Sequence, residues 1–143
     1  MPILPVLGNN DGLYHNYAVD AADATQFYSD LWQIWFEEVP GNAPFKNDAT
    51  ISSDFHAGGY YAINIIDDLT IFGLNGLYPF HKNALNKATG STDMLNWFST
   101  KLAANGSRRF LTTSHVFAGN NYYEGLEQFW ETEYTNAYFT TLN

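Results

Sequence analysis

Three short stretches carry the residue types that could do chemistry. The first is Gly8-Asn9-Asn10-Asp11. Gly, Asn and Asp all favour tight turns, so a polar strand-to-loop turn accounts for it without any reactive role. The same residues allow a second reading. The Asn9 side-chain carbonyl can ligate a divalent cation, and a neutral oxygen donor leaves the ion strongly electrophilic. The second stretch ends on His115, which follows the apolar run Phe110–Thr113. A histidine there can simply be hydrogen-bonded, but imidazole is also the commonest side-chain ligand of transition metals. An Asn and a His at neighbouring strand ends could share one ion. The third is His15, within Tyr14-His15-Asn16. It reads equally as a solvated loop residue or as an acid or hydrogen-bond donor beside a scissile phosphate. His56 and His81 fall in irregular stretches and are read as having no catalytic part. Asp67-Asp68 and Glu37-Glu38 are adjacent carboxylates whose side chains diverge, which suits a solvated surface. No phosphate-binding Gly-rich loop ending in Lys-Ser/Thr, no Gly-x-Ser-x-Gly and no His-Glu-x-x-His occurs.

These residues need a frame to hold them. Residues 2–7 are apolar and stop at Gly8, which predicts a buried strand entering a turn. A helix is predicted over 24–38, capped by Asp23 with Gln26 and stopped by Pro40-Gly41. Phe27, Leu31, Ile34 and Trp35 make its apolar face. Residues 42–58 read as a long polar loop. Tyr60–Ile65 and Leu69–Leu74 read as a hairpin turning at Asp67-Asp68, and residues 77–90 as irregular. A second helix is predicted over 92–104, with Ser91 as N-cap and Asn105-Gly106 as its stop. Met94, Leu95, Phe98 and Leu102 face its core side. Phe110–Thr113 is a short strand. A third helix is predicted over 122–138, capped by Asn121 and Glu124, with Leu126, Trp130, Tyr134 and Tyr138 as its stripe. The pattern is α/β, and in such sheets sites collect at the carboxyl ends of strands.

Composition narrows the possible functions. The 143 residues make one domain or less. Aromatic residues reach 17%, far above what a disordered chain carries. A net charge of −9 and the lack of a basic stripe speak against nucleic-acid binding. An acidic protein can still handle phosphate esters when metal ions bring the positive charge. No cysteine is present, which removes disulfides, thiolate zinc sites and cysteine nucleophiles. No apolar run is long enough for a membrane span, and the first residues lack the basic start of a signal peptide.

The order of the motifs resembles the calcineurin-like metallophosphoesterases, in the acid sphingomyelinase and endopolyphosphatase branch. Pro2 to Asp11 is similar to the strand followed by GN[HN][DE] in that family. Tyr14-His15-Asn16 is similar to the Pro-His-Asn that follows GNND in endopolyphosphatases. Gln26-Phe-Tyr-Ser-Asp-Leu-Trp32, Gly58-Gly-Tyr-Tyr61 and Leu74-Asn-Gly-Leu-Tyr78 resemble the branch's next motifs in order. Met94-Leu-Asn-Trp97, Thr113-Ser-His-Val116 and Gln128-Phe-Trp130 with Tyr134 resemble those that complete the series. The resemblance covers essentially the whole chain.

The resemblance implies a partial αββα metallophosphoesterase sandwich with mixed sheets, lacking N-terminal and C-terminal strands, with residues 1–143 as one partial domain. It implies a pair of divalent ions (Zn, Mn or Fe) and hydrolysis of a phosphodiester or phosphoanhydride. Asn9 and His115 would ligate one metal. Asp11 would orient a neighbouring group, and Asn10 stands where the family usually has a general-acid His. His15 would act at the phosphate. The substrate would be a phosphoester or polyphosphate, and the location secreted, lysosomal or vacuolar. The family's Asp-x-His and Gly-Asp ligands lie upstream of the stretch matched here and its Gly-His-x-His ligands downstream, so the chain is expected to be an internal fragment, inactive alone. GHxPP is eroded to Ser114-His115-Val116-Phe117-Ala118, with Phe117-Ala118 in place of the proline pair. That loss leaves open a degenerate binding or scaffold relative of the same fold.

Overall fold

The structure is a computed structural model that describes residues 1–143, the side chain of Glu124 excepted. It is mixed α/β. Helices α1 (Ala24–Trp32) and α2 (Ala49–Gly58) precede the strands β1 (Tyr61–Ile66) and β2 (Leu69–Gly73). Helix α3 (Lys87–Ala104), strand β3 (Arg109–Thr113), a small hairpin of β4 (Asn120–Asn121) and β5 (Glu127–Gln128), and helix α4 (Thr132–Leu142) complete the chain. β1, β2 and β3 form one sheet in that order. β1 and β2 are antiparallel, and β2 and β3 are parallel, with Phe72 opposite Thr112.

Alternation along the strands sends side chains to two faces. Tyr61, from one face, meets the rings of Phe36 and Phe55. Phe55 of α2 also touches Tyr28, Trp32 and Trp35, while Trp32 stacks on Phe36 at 4.4 Å. On the other face Phe72 meets Trp97 and Phe98 of α3, and Phe98 stacks on Tyr138 of α4. The sheet is therefore covered by helices on both faces, and the aromatic excess of the composition is spent in these two layers.

The hairpin, the core side of α3 and β3 match their sequence-based expectations. Met94, Leu95 and Phe98 are buried, and α3 stops before Asn105 and Gly106, whose φ is +65°.

Five expectations are corrected. First, residues 2–7 form no strand. Pro2 and Pro5 have no N–H to offer a ladder. Asn42 takes the place of a strand neighbour: its Oδ1 accepts the Ile3 N–H at 2.9 Å and its Nδ2 donates to the Ile3 carbonyl at 2.6 Å. Leu7 is nonetheless buried. Second, Asp23 makes no side-chain cap on α1, because its own backbone is helical. Gln26 bonds Asp30 instead. Tyr28, Trp32 and Phe36 are the buried stripe, one residue round from the expected face, and Ile34 is 51% exposed. The last turn, Gln33–Glu37, is a π-helix.

Third, the expected loop over 42–58 contains α2. Asp48 caps it by accepting the Thr50 and Ile51 N–H groups, and Gly59 ends it at φ +70°. Fourth, α3 begins at Lys87, so Ser91 lies inside the helix and buried, not at its cap. Fifth, the helix expected over 122–138 begins only at Thr132. Gly125 and Leu126 both have left-handed backbones (φ +74° and +68°), which a right-handed helix cannot contain. The stretch instead folds as the β4–β5 hairpin with a short 3-10 turn, in which the Asn121 side chain accepts the Tyr123 N–H. The side chain of Glu124, the other expected cap, lies outside the described residues.

Candidate metal-ligand pair at Asn9 and His115

The carboxyl end of β3 and the turn after residues 2–7 meet in space. Backbone bonds set the first partner. The Thr113 carbonyl accepts the Leu74 N–H at 2.9 Å, which holds the strand end in the sheet. Three residues on, the Val116 carbonyl accepts both the Ser114 hydroxyl at 2.7 Å and the buried Trp130 indole N–H at 2.9 Å. Gly76 lies against this loop. A Cβ there would overlap the Val116 carbonyl oxygen and the Ser114 hydroxyl, so only glycine lets the loop seat. Val116 is buried while His115 is turned to solvent.

The second partner is held by its own turn. Asp11 closes it twice: its N–H donates to the Gly8 carbonyl at 3.1 Å, and its carboxylate accepts the Gly8 N–H at 2.7 Å. The Asn9 carbonyl accepts the Asn16 N–H at 2.8 Å. Asn9 is thereby presented with its side chain facing His115. A Cβ on Gly8 would lie 3.3 Å from both the Asp11 carboxylate and the His115 ring, so the three residues are in close company.

The outcome is that His115 Nε2 lies 2.9 Å from Asn9 Oδ1, across 106 positions of sequence. With the proton on Nε2 this is a hydrogen bond. The distance also suits two ligands of one cation. Donors each held at about 2.1 Å from one ion lie roughly 3.0 to 3.4 Å apart, for angles from octahedral to tetrahedral. Asn9 Oδ1 carries the lone pair that such an ion requires, and His115 Nε2 carries one in the tautomer protonated at Nδ1. On that ground the two residues fit half of one coordination shell. Among the described residues no three His, Cys, Asp or Glu side chains gather into a group that could hold an ion unaided.

His15 joins the same cluster. Its Nε2 lies 3.1 Å from Asn9 Nδ2, and its Nδ1 lies 3.3 Å from Asn16 Nδ2. Both neighbours are amide donors, and a neutral imidazole accepts at only one nitrogen. The ring is therefore incompletely satisfied within the chain and exposed to solvent. Asn10 is exposed on the same turn. The structure thus brings Asn9, Asp11, His15 and His115 together, with Asn10 at the rim. Asn16 completes the set, accepting from Asn9 Nδ2 at 3.1 Å. Sequence reasoning named Asn16 only as part of a motif. Its backbone is left-handed (φ +69°), a conformation that tolerates Asn better than most residues, and no sequence pattern announces it.

His56 and His81 serve the scaffold. His56 lies in α2, 2.7 Å from the Ser52 carbonyl and packed on Trp32. His81 bonds the Phe129 carbonyl at 3.0 Å, tying down the small hairpin.

Behind the site, buried amides and phenols fix the loops. Asn83 accepts the Ala18 and Leu85 N–H groups, each at 3.0 Å, and donates to the Tyr78 and Leu85 carbonyls at 3.1 and 2.9 Å. It joins the segment just after His15 to the stretch before α3. The Tyr28 and Tyr78 hydroxyls meet at 2.7 Å. Burial pushes both phenols above their ordinary value, and the neighbouring Tyr78 adds to the rise at Tyr28.

No protein-family model matches the chain. It is 34% identical over 86 residues to an endopolyphosphatase of Neurospora crassa, a match that takes in 59% of this chain and 10% of that protein. It is 33% identical over 86 residues to an endopolyphosphatase of Cryptococcus neoformans var. neoformans, with 59% of this chain and 11% of that protein covered. Over more than half its length, then, the chain is similar to endopolyphosphatases, and it spans about a tenth of the length of these curated relatives.

Proposed function

We propose that this chain is a segment of a metal-dependent phosphoesterase of the calcineurin-like kind, acting on phosphoanhydride or phosphodiester bonds, with polyphosphate as the favoured substrate. The observation that carries the reading is the 2.9 Å approach of His115 Nε2 to Asn9 Oδ1. Similarity to two proteins named endopolyphosphatase supports the substrate class. The αββα sandwich is taken as the parent fold from the resemblance alone, since this sheet carries helices on both faces where a sandwich sheet would pack one face on its partner sheet.

In this reading Asn9 and His115 hold one ion of a Zn, Mn or Fe pair. When bound, such ions supply a nucleophilic water at neutral pH and neutralise phosphate charge. Everything else falls to the protein. Asp11 keeps the Gly8–Asn9 turn closed, so the Asn9 oxygen stays aimed at His115. His15 and Asn10, both exposed, face the solvent side from which a phosphate would arrive. His15 Nε2 can donate a hydrogen bond to a phosphate oxygen or hand a proton to the leaving oxygen. Two ligands do not retain two ions, so the chain by itself is expected to hydrolyse nothing. The location we favour is secreted, lysosomal or vacuolar, as in the family it resembles.

A second reading has one observation in its favour. Phe117-Ala118 stand where the resembled family has a proline pair, and Phe117 is 53% exposed. A non-catalytic relative used as a binding or scaffold domain would tolerate that loss. The test is to read and express the coding sequence on both sides of this segment. In-frame Asp-x-His and Gly-His-x-His motifs, with Mn2+- or Zn2+-dependent polyphosphate cleavage lost in Asn9→Ala and His115→Ala, are expected. Intact flanks with cleavage unchanged in both variants would refute the assignment of Asn9 and His115 to the metal site, and no cleavage, or in-frame flanks without those motifs, would refute the enzyme reading and favour the scaffold.

A further inference from the structure

A side-chain amide is chemically two-faced. Rotated by half a turn, Asn9 would offer His115 an NH2 group instead of an oxygen, and a metal ligand would be lost. Something must select the oxygen. Its backbone does not, since both orientations leave the Asn9 carbonyl bonded to the Asn16 N–H at 2.8 Å. His15 does not, because its Nε2 accepts from an NH2 in one tautomer and donates to an oxygen in the other. Asn16 remains. With its own Nδ2 turned to His15 Nδ1 at 3.3 Å, its Oδ1, an atom that only accepts, lies 3.1 Å from Asn9 Nδ2.

We infer that Asn16 is a positioning residue that holds the Asn9 amide with its oxygen directed at His115. The left-handed backbone at Asn16 and its N–H bond back to Asn9 bring the side chain to that place. Its other end, Nδ2, faces His15 Nδ1 at 3.3 Å, so one residue contacts both the ligand and the candidate proton donor. The inference deepens the metal-site reading and takes its functional meaning from it, but the orientation it describes exists without any ion.

Two variants separate the side-chain effect from the backbone. Asn16→Gly keeps the left-handed backbone at no steric cost and removes the side chain. Asn16→Asp keeps an acceptor toward Asn9 in either rotation and removes the amide protons. The readout is the tautomer ratio of His115 from long-range 1H–15N spectra of the metal-free 143-residue chain. With the Asn9 oxygen facing it, His115 carries its proton on Nε2. We expect wild type and N16D to share that preference. In N16G the ratio should fall about two- to tenfold, the span one neutral hydrogen bond sets. An unchanged ratio in N16G, or a loss in N16D, overturns the inference. Should N16G not fold, N16D alone decides: retention supports the inference and loss overturns it. Adding Mn2+ then tests the other reading separately. Ions that broaden neither Asn9 nor His115 would sink the metal site while leaving the tautomer result in force.

Discussion

Gly76→Ala connects the fold to the site more directly than any other single change. The added methyl would fall inside the van der Waals contact of the Val116 carbonyl oxygen and the Ser114 hydroxyl. The Val116 oxygen must retreat by on the order of 1 Å, because close-packed interiors leave no room for overlap. That retreat breaks the bond from the Trp130 indole, a side chain only 1% exposed. Overpacking costs about 1–3 kcal/mol, and an orphaned buried N–H about 1–3 kcal/mol more. The sum is about 2–6 kcal/mol, read by urea denaturation with an unchanged slope. A control is Gly106→Ala. Unlike Gly76 it has a left-handed φ of +65°, but nothing lies within 4 Å of the new methyl, so only backbone strain of about 1–2 kcal/mol applies. Because His115 sits between Ser114 and Val116, G76A should also break the Asn9–His115 contact in the folded fraction. A Gly76→Ala chain no less stable than Gly106→Ala, with that contact intact, would refute the reasoning.

Other outcomes follow from the same geometry. Tyr28→Phe and Tyr78→Phe should each cost about 1–2 kcal/mol, and the double variant less than the sum of the two, since the first removal already strands the partner hydroxyl. Both phenols are raised by burial, so below about pH 10 they are protonated folded or unfolded and contribute no pH dependence. Above it the unfolded chain ionises first, and stability should fall as pH rises, less so in the double Phe variant when followed by thermal melts. Asn83→Ala strands two N–H groups and two carbonyls, and should lower stability by about 3 kcal/mol in urea titration. Arg109→Ala should stay within about 0.5 kcal/mol of wild type. Its 2.7 Å pair with Asp68 is exposed on both sides (70% and 59%) and screened by solvent.

The parts of the fold legible in the sequence are those with a strong apolar period and clear punctuation. Met94, Leu95 and Phe98 before Asn105-Gly106 announced α3, and the alternation around Asp67-Asp68 announced the hairpin. Helix α2 was hidden because its apolar signal is only Ile51 and Phe55, one turn apart, among Ser, Thr and Asp. The cap at Asp48 and the Gly58-Gly59 stop were the readable clues. The helix expected over 122–138 was over-extended because an apolar stripe runs through Gly125, and periodicity does not register a left-handed backbone. Residues 2–7 were misread for another reason. An isolated apolar run does not say whether a strand or a single side chain, here Asn42, will take up its backbone groups. At the site, residue types and the ends of apolar runs picked out Asn9 and His115, although only the run before His115 is a strand. Their contact bridges 106 positions and depends on β3 pairing in parallel with β2, which no local pattern encodes. The role of Asn16 depends on its φ and on the direction of an amide, and neither is written in spacing.

The central claim is that Asn9 and His115 ligate the same divalent ion, and Mn2+ titration of the 15N-labelled chain tests it most directly. Paramagnetic broadening should strike the Asn9 side-chain amide and the His115 ring first and together, spare the His56 and His81 rings that are bonded into the scaffold, and disappear when both Asn9 and His115 are replaced by Ala. Broadening that spreads evenly over the four histidines, or that persists in the double variant, would contradict it.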